Sequence, residues 1–333
     1  MVCSSAFPWP YLLGGKQQAF LGVYGPLRRV QSLFQYYDDG GPHAVICQDE
    51  IIWVGTNEAL SEAIEKLLLS EAVAIDTEYD SFRYFREKLC LIQMWASRSC
   101  FLFDPLSPLD LAPLGELFSN PSILKIFHAG ENDIRLLKRD YSFSVVNIFD
   151  TAKAAALLGE EHLSLEHLVV KYLGVMFEKK RKIQRSRWDR RPLTAKQLAY
   201  ASLDVKYLYD LYRVLREKLS ARNLLGAAEE AFEGVAHTVW CGRIFNHRGY
   251  KKILNRHVFS PEEQEKLKAI YEWRHSVAEK LNQAPFMILT DDELAQVVQE
   301  GVSALDPKKE KRWGKEIREI FFREGDYGAD IPR

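Results

Sequence analysis

Ala72-Val73-Ala74-Ile75-Asp76-Thr77-Glu78-Tyr79 is the stretch on which the fold turns. Four apolar residues run into two carboxylates, the pattern of a buried strand whose far end opens into a site. Side chains alternate along a strand, so Asp76 and Glu78 leave the same face. Upstream, Ile51-Ile52-Trp53-Val54 reads as a short edge strand, and Thr56 with Glu58 opens an amphipathic helix through Leu69. Downstream, Leu89 to Trp95 and Cys100 to Phe103 read as strands joined by a tight Ser/Arg turn, hence a hairpin. A helix near Leu114 to Phe118, a strand from Ile123 to Phe127, a turn at Gly130 and a helix from Glu131 to Lys138 follow. Val146 to Phe149 is the next strand, and Asp150-Thr151 begins an Ala-rich helix. A β-meander followed by alternating helices and strands predicts an α/β fold, a mixed sheet flanked by helices on both faces.

Beyond the sheet, Ser164 to Leu173 reads as a short helix stopped by Gly174, where a left-handed residue is wanted. Pro192 precedes Thr194-Ala195-Lys196-Gln197, a capping box that starts one long helix through Leu219. The organisation expected is an N-terminal extension with little order (1–43), a catalytic domain (44–220), a helical connector (221–257) and a small all-helical domain (258–325). In that last region Ser260-Pro261-Glu262-Glu263 is an N-cap with proline at the first helical position, Asp291 starts a further helix, and at least three short helices are expected.

Composition narrows the function classes. Net charge is −1, with 47% hydrophobic and 27% charged residues, so nucleic-acid affinity must come from local clusters of positive charge. No apolar run reaches the ~18 residues needed to span a bilayer, and no membrane partner is expected. The 5 cysteines are scattered and lack a CxxC pair, which favours a reducing compartment and a cytoplasmic location. Before Asp38 there is no acidic residue, and an organelle-targeting leader is the alternative reading of that segment. His237, Cys241, His247 and His257 match no tight zinc spacing.

Each acidic residue alone has an ordinary explanation. Asp76 and Glu78 can simply end a strand, Asp133 in the first turn of a helix favours the dipole, and Tyr200 and Asp204 share a helix face at i and i+4. Together, carboxylates from three separate segments supply what a pair of hard divalent cations needs. Two ions about 4 Å apart stabilise the attacking and leaving oxygens of an in-line displacement. Tyrosine, with an ordinary pKa near 10, is a poor base at neutral pH and better suited to orienting a water.

Asp76-Thr77-Glu78, His128-Ala129-Gly130-Glu131-Asn132-Asp133 and Arg191-Pro192-Leu193-Thr194…Gln197…Tyr200-Ala201-Ser202-Leu203-Asp204 resemble the three exonuclease motifs of the ribonuclease D family. Leu89-Cys90-Leu91-Ile92-Gln93 and Asp150-Thr151 also fit. The resemblance implies a ribonuclease H-like fold and a metal-dependent 3′–5′ exoribonuclease. Asp76, Glu78, Asp133 and Asp204 would hold two divalent cations, Mg²⁺ or Mn²⁺, and Tyr200 would assist the water. Tyr200 stands four before the last aspartate and Ala199 five before it, which marks the tyrosine type of the family. Leu267…Ile270-Tyr271…Trp273-Arg274…Pro285…Ile288-Leu289…Asp292…Leu294-Ala295 is similar to the helicase-and-ribonuclease-D C-terminal (HRDC) domain, a nucleic-acid-binding module. Bacterial ribonuclease D usually carries two such modules, and one is recognisable here.

The implied substrate is RNA, tRNA precursors or other structured 3′ ends, handled by a monomer, with single-stranded DNA as the second candidate. A DNA 3′–5′ exonuclease and a catalytically silent nucleic-acid-binding scaffold are the rival functions. The segment from Lys179 to Arg191 is rich in Lys and Arg around Trp188, with Asp189 opposing. Lys182, Arg187 and Arg191 are candidate phosphate contacts, Trp188 a candidate stacking residue, and His128 and Gln93 candidate contacts to the terminal nucleotide. The family commonly has Ser-Asp-Trp where this chain has Ser186-Arg187-Trp188.

Overall fold

The computed structural model describes residues 29–31, 50–176, 181–242 and 245–326. One sheet organises the first two thirds of the chain. Its strands are β1 (Arg29–Gln31), β2 (Glu50–Val54), β3 (Ala72–Asp80), β4 (Lys88–Ala96), β5 (Ser99–Phe103), β6 (Leu124–Phe127) and β7 (Ile148–Asp150). Their order is β1-β2-β5-β4-β3-β6-β7. The meander β3-β4-β5 is antiparallel, whereas β2 joins β5, β6 joins β3 and β7 joins β6 in parallel. Ser97 and Arg98 turn the β4–β5 hairpin with φ of 49° and 62°, the left-handed pair that a two-residue hairpin turn requires.

β2 is not the edge strand expected. β1 pairs outside it, Val30 opposite Ile51, so part of the acid-free segment caps the sheet. The rest of the expected N-terminal extension lies outside the described residues.

Alternation along β3 sorts the two cores. Val73 and Ile75 face helices α1 (Asn57–Leu68), α2 (Leu114–Ser119) and α3 (Glu131–Tyr141), in a cluster with Ile92, Met94 and Phe127. Ala74 faces the opposite layer, in a cluster with Leu91, Leu102 and Ile126. That layer comprises α4 (Thr151–Leu157), α5 (Leu165–Leu173), the one-turn α6 (Arg181–Gln184), α7 (Ala195–Lys206), α8 (Leu208–Ala221) and α9 (Leu225–Ala236). Each fully buried leucine, isoleucine or phenylalanine in these layers contributes about 1.5–3 kcal/mol.

Two expectations about this layer need correction. The long helix from Thr194 to Leu219 is two helices. At Tyr207 (φ −96°, ψ 0°) the backbone N–H bonds to Val205 O and the helical ladder breaks. α7 thereby lies over β3 and β4, while α8 packs against α4, α5 and β6. Part of the expected connector also belongs to the sheet body. α9 packs on β7, with the Phe232 ring centroid 4.7 Å from that of Phe149.

α10 (Lys251–Leu254), α11 (Pro261–Leu281), α12 (Pro285–Ile288), α13 (Asp291–Glu300) and α14 (Pro307–Asp326) enclose a third apolar cluster around Leu267, Ile270, Leu294, Val297 and Ile317. Capping boxes at Ser260/Glu263 and Thr290/Glu293 start α11 and α13. α11 runs 21 residues, far longer than the short helix expected. Phe85, in the loop after β3, is buried in this third cluster. Ala284 N–H donates to Arg83 O at 2.9 Å, and Arg86 N–H to Asn282 Oδ1 at 2.8 Å. The helical module is thus moored to the loop that leaves the acidic strand.

Candidate active site

β3 delivers Asp76 and Glu78 to the face covered by α7, and α7 sends Tyr200 and Asp204 back from one turn apart. Carboxylate oxygens of Asp76, Glu78 and Asp204 all lie within 4.8 Å of one another. Glu78 and Asp204 are buried and Asp76 is half-buried. The Tyr200 phenol is buried beside them. Burial, followed by the charges of Asp204, Glu78 and Asp76, pushes its pKa well above the ordinary range, and a hydrogen bond with Asp204 acts in the same direction. The phenol therefore holds its proton and meets the acids as a hydrogen-bonding group.

Asp133 arrives from the other side of the sheet. Thr77, between the two acids of β3, points to the α3 layer, and its hydroxyl donates to Asp133 Oδ1. Burial and then the nearby Asp76 charge hold the Asp133 carboxyl well above the usual carboxylate range. The four sequence-predicted acids are thus gathered at one end of β3, three in a tight group and the fourth close enough for Asp76 to repel it.

The turn before α3 is shaped for this approach. Asp150, fully buried at the end of β7, accepts from Ala129 N–H (3.2 Å) and Gly130 N–H (2.8 Å) as well as capping α4 through Ala152 and Lys153. Ala129 takes φ 55°, and a Cβ on Gly130 would lie 2.5 Å from Phe127 Cβ. Hence glycine at this position: any side chain would displace the turn that aims Asp133. His128 is half-buried in the same turn, its Nδ1 2.9 Å from Thr151 Oγ1, which in turn donates to Phe127 O.

The donor set fits a hard divalent cation. It offers oxygen alone, from carboxylates at different positions along the chain, and like charges this close and this buried are costly without a proton or a cation between them.

The basic segment departs most from expectation. Trp188 is 1% exposed; its indole N–H donates to Gln184 O at 3.0 Å and its ring centroid lies 6.0 Å from that of Tyr200. It packs against the phenol and, although it borders the cavity, is too deeply buried to stack on a base. The Arg191 guanidinium grips the buried Asp104 carboxylate with two bonds of 2.8 and 2.6 Å, and donates to Cys90 O and Trp188 O. That locks the loop to β4 and leaves no fork for a phosphate. Arg187 makes a bidentate pair with Asp189, both bonds 2.7 Å, and this holds the Asp189 carboxyl at about 2. Gln93 is fully buried opposite Asp76 in the β3–β4 register, out of reach of a nucleotide. Its amide nitrogen and oxygen have no hydrogen-bond partner among the described residues. Lys182 is exposed on α6.

A cavity of about 1060 Å³ opens beside the acids, lined by Glu78, Asp133, Asn132, Phe82, Arg83 and, from the basic segment, Gln184, Arg185 and Ser186. Arg185, Asn132 and Arg83 are residues that the motifs did not single out. Nothing in a run of cations tells which one faces a cleft; Asn132 had a signal in its place one residue before Asp133.

The chain's relatives agree with this geometry. A 3′–5′ exonuclease family model matches residues 51–220. Ribonuclease D of Desulfotalea psychrophila is 30% identical over 280 residues, spanning 81% of this chain and 74% of that protein. The exosome complex exonuclease RRP6 of Saccharomyces cerevisiae is 30% identical over 267 residues, 74% of this chain but 36% of the yeast protein. The chain therefore spans only about a third of that relative's length. In fold it is similar to the catalytic core of RRP6 from Trypanosoma brucei, with a TM-score of 0.77 at 22% identity, covering 87% of this chain and 83% of that one. Escherichia coli RNase D superposes with a TM-score of 0.62 at 24% identity, covering 84% and 75%. Sheet order, acidic site and sequence matches converge: the chain belongs to the ribonuclease D family of 3′–5′ exonucleases.

Proposed function

We propose that this protein is a metal-dependent 3′–5′ exoribonuclease that shortens RNA from its 3′ end and releases nucleoside 5′-monophosphates. The observation that carries the proposal is the convergence of Asp76, Glu78 and Asp204 within 4.8 Å, with the Tyr200 phenol against them. The names ribonuclease D and exosome complex exonuclease, borne by relatives about 30% identical, favour RNA over DNA. Structured-RNA 3′ ends, tRNA precursors foremost, are the substrate class.

Asp76, Glu78, Asp133 and Asp204 would hold two divalent cations, Mg²⁺ or Mn²⁺. When bound, the ions would acidify the attacking water and stabilise the charge that develops on the phosphate. The protein's own contribution is geometric. Thr77 fixes the Asp133 carboxylate, and the Asp150 clamp fixes the turn that carries it. Trp188 backs the Tyr200 ring, so the protonated phenol can hydrogen-bond the attacking water and set its line of approach. Arg185, in the cavity wall, is placed to attract the phosphates of an entering strand.

The HRDC-like reading of residues 258–325 gives the helical module a part in holding nucleic acid, and its mooring to the loop after β3 keeps it beside the cleft. The test is product analysis with RNA and DNA of one sequence. Nucleoside 5′-monophosphates released from RNA, and far more slowly from DNA, support the proposal. Release from DNA alone would move the protein to the DNA exonucleases, and binding without release would leave a scaffold.

A further inference from the structure

The loop after β3 leaves an aromatic ring in solvent at the side of the cleft. Phe82 is 65% exposed, and the neighbouring Phe286 and Met287 of α12 are 40% and 46% exposed. The Phe82 and Phe286 ring centroids stand 4.9 Å apart, with the planes tilted by 44°. Single exposed apolar residues are common, but a contiguous group drawn from two distant parts of a chain calls for an occupant.

This loop is built, not slack. Buried Asp80 accepts from Phe82 N–H (3.1 Å) and Arg83 N–H (2.9 Å) and pairs with the Arg83 guanidinium at 2.8 Å. The Ala284 N–H bond to Arg83 O sets the α12 side against it. Both rings are thus held in place while their faces stay wet, a pre-organised arrangement in which little entropy remains to be lost on binding. Phe82 and Arg83 line the same cavity as Glu78 and Asp133. The Arg83 guanidinium carbon lies 5.6 Å from the Phe82 ring centroid, so the Asp80–Arg83 pair also braces the ring from beneath.

We infer that Phe82 and Phe286 form a stacking platform, shared between the sheet body and the helical module, for unpaired bases of the strand entering the cleft. The inference rests on the exonuclease reading for its occupant. A strand led along the cavity wall that holds Phe82, Glu78 and Asp133 carries its bases alongside its phosphates, and every base offers a π-face whatever the sequence. The platform also gives the mooring of the helical module a purpose, since without it Phe286 would not meet Phe82.

The test measures binding of the full chain to 5′-labelled single-stranded RNA and DNA of one sequence, by fluorescence anisotropy in chelator. Intact oligonucleotides are compared with ones carrying abasic sites near the 3′ end. Phe286→Ala is expected to weaken binding of intact RNA roughly tenfold, and Phe286→Trp to restore it. The abasic oligonucleotide should bind wild type about as weakly, with no further loss in Phe286→Ala. In hydrolysis with metal, Phe286→Ala should raise KM and leave kcat unchanged. Because Phe286 is partly exposed, an unchanged Tm is expected and checks the fold. Equal affinity of wild type and Phe286→Ala for both strands, or an abasic penalty of the same size in both proteins, overturns the platform. Wild type that shows the platform dependence but shortens neither strand keeps the platform and refutes the exonuclease reading.

Discussion

The acidic end of β3 and the basic segment before α7 face each other across one cleft, yet they relate to their sequences in opposite ways. The acids converge at the place their spacing implies. Two arginines of the basic segment instead turn back into the fold, Arg191 onto Asp104 and Arg187 onto Asp189, with Trp188 sunk behind Tyr200. Carboxylates gathered without a cation are costly, so a chain that keeps them together is keeping a site. A run of arginines has many ways to be satisfied, and here carboxylates of the fold take two of them.

The largest effect is expected on the acidic side. Asp76→Ala should lower hydrolysis by more than about a hundredfold, with a Tm equal to or above that of wild type, since one repelling charge is gone. Full activity in that variant with metal present would remove the site. Tyr200→Phe keeps the ring against Trp188 and deletes only the hydroxyl. A loss on the order of a hundredfold in kcat, with RNA affinity held, is the expected outcome in single-turnover assays.

On the basic side the contrast predicts stability effects in place of affinity effects. Arg191→Ala leaves the buried Asp104 carboxylate without its guanidinium and should cost about 3 kcal/mol in denaturant unfolding. Unchanged stability with weakened RNA binding would return Arg191 to the substrate. The smallest effect separates two neighbours. Arg185→Ala, in the cavity wall, should lower the slope of log affinity against log salt by about 0.7. Arg187→Ala, its charge already met by Asp189, should leave that slope where it is.

How much is legible in the sequence follows the range of each interaction. Alternation along β3 and the i, i+4 spacing of Tyr200 and Asp204 are local, and residue order alone puts these acids on two shared faces. The Thr194/Gln197 capping box and the Ser/Arg hairpin turn are legible for the same reason. The break at Tyr207 is not, because both halves carry a continuous apolar stripe, and what distinguishes α8 from α7 is its packing on the distant helices α4 and α5. Neither is the Arg191–Asp104 bond, between residues far apart in sequence, nor the burial of Phe85 in the C-terminal cluster. Phe82 is visible as an aromatic after the first motif, but its partner Phe286 lies on the far module. No sequence pattern links the two rings.

The central claim is that the acidic group at the end of β3 drives metal-dependent shortening of RNA from its 3′ end. The most direct measurement is a time course on 5′-labelled single-stranded RNA with Mg²⁺, with Mn²⁺ and with chelator, wild type beside Asp76→Ala. A ladder of products shortening from the 3′ end, abolished by chelator and absent in Asp76→Ala, is the expected result. Shortening that persists in chelator, or in Asp76→Ala at the wild-type rate, would contradict it.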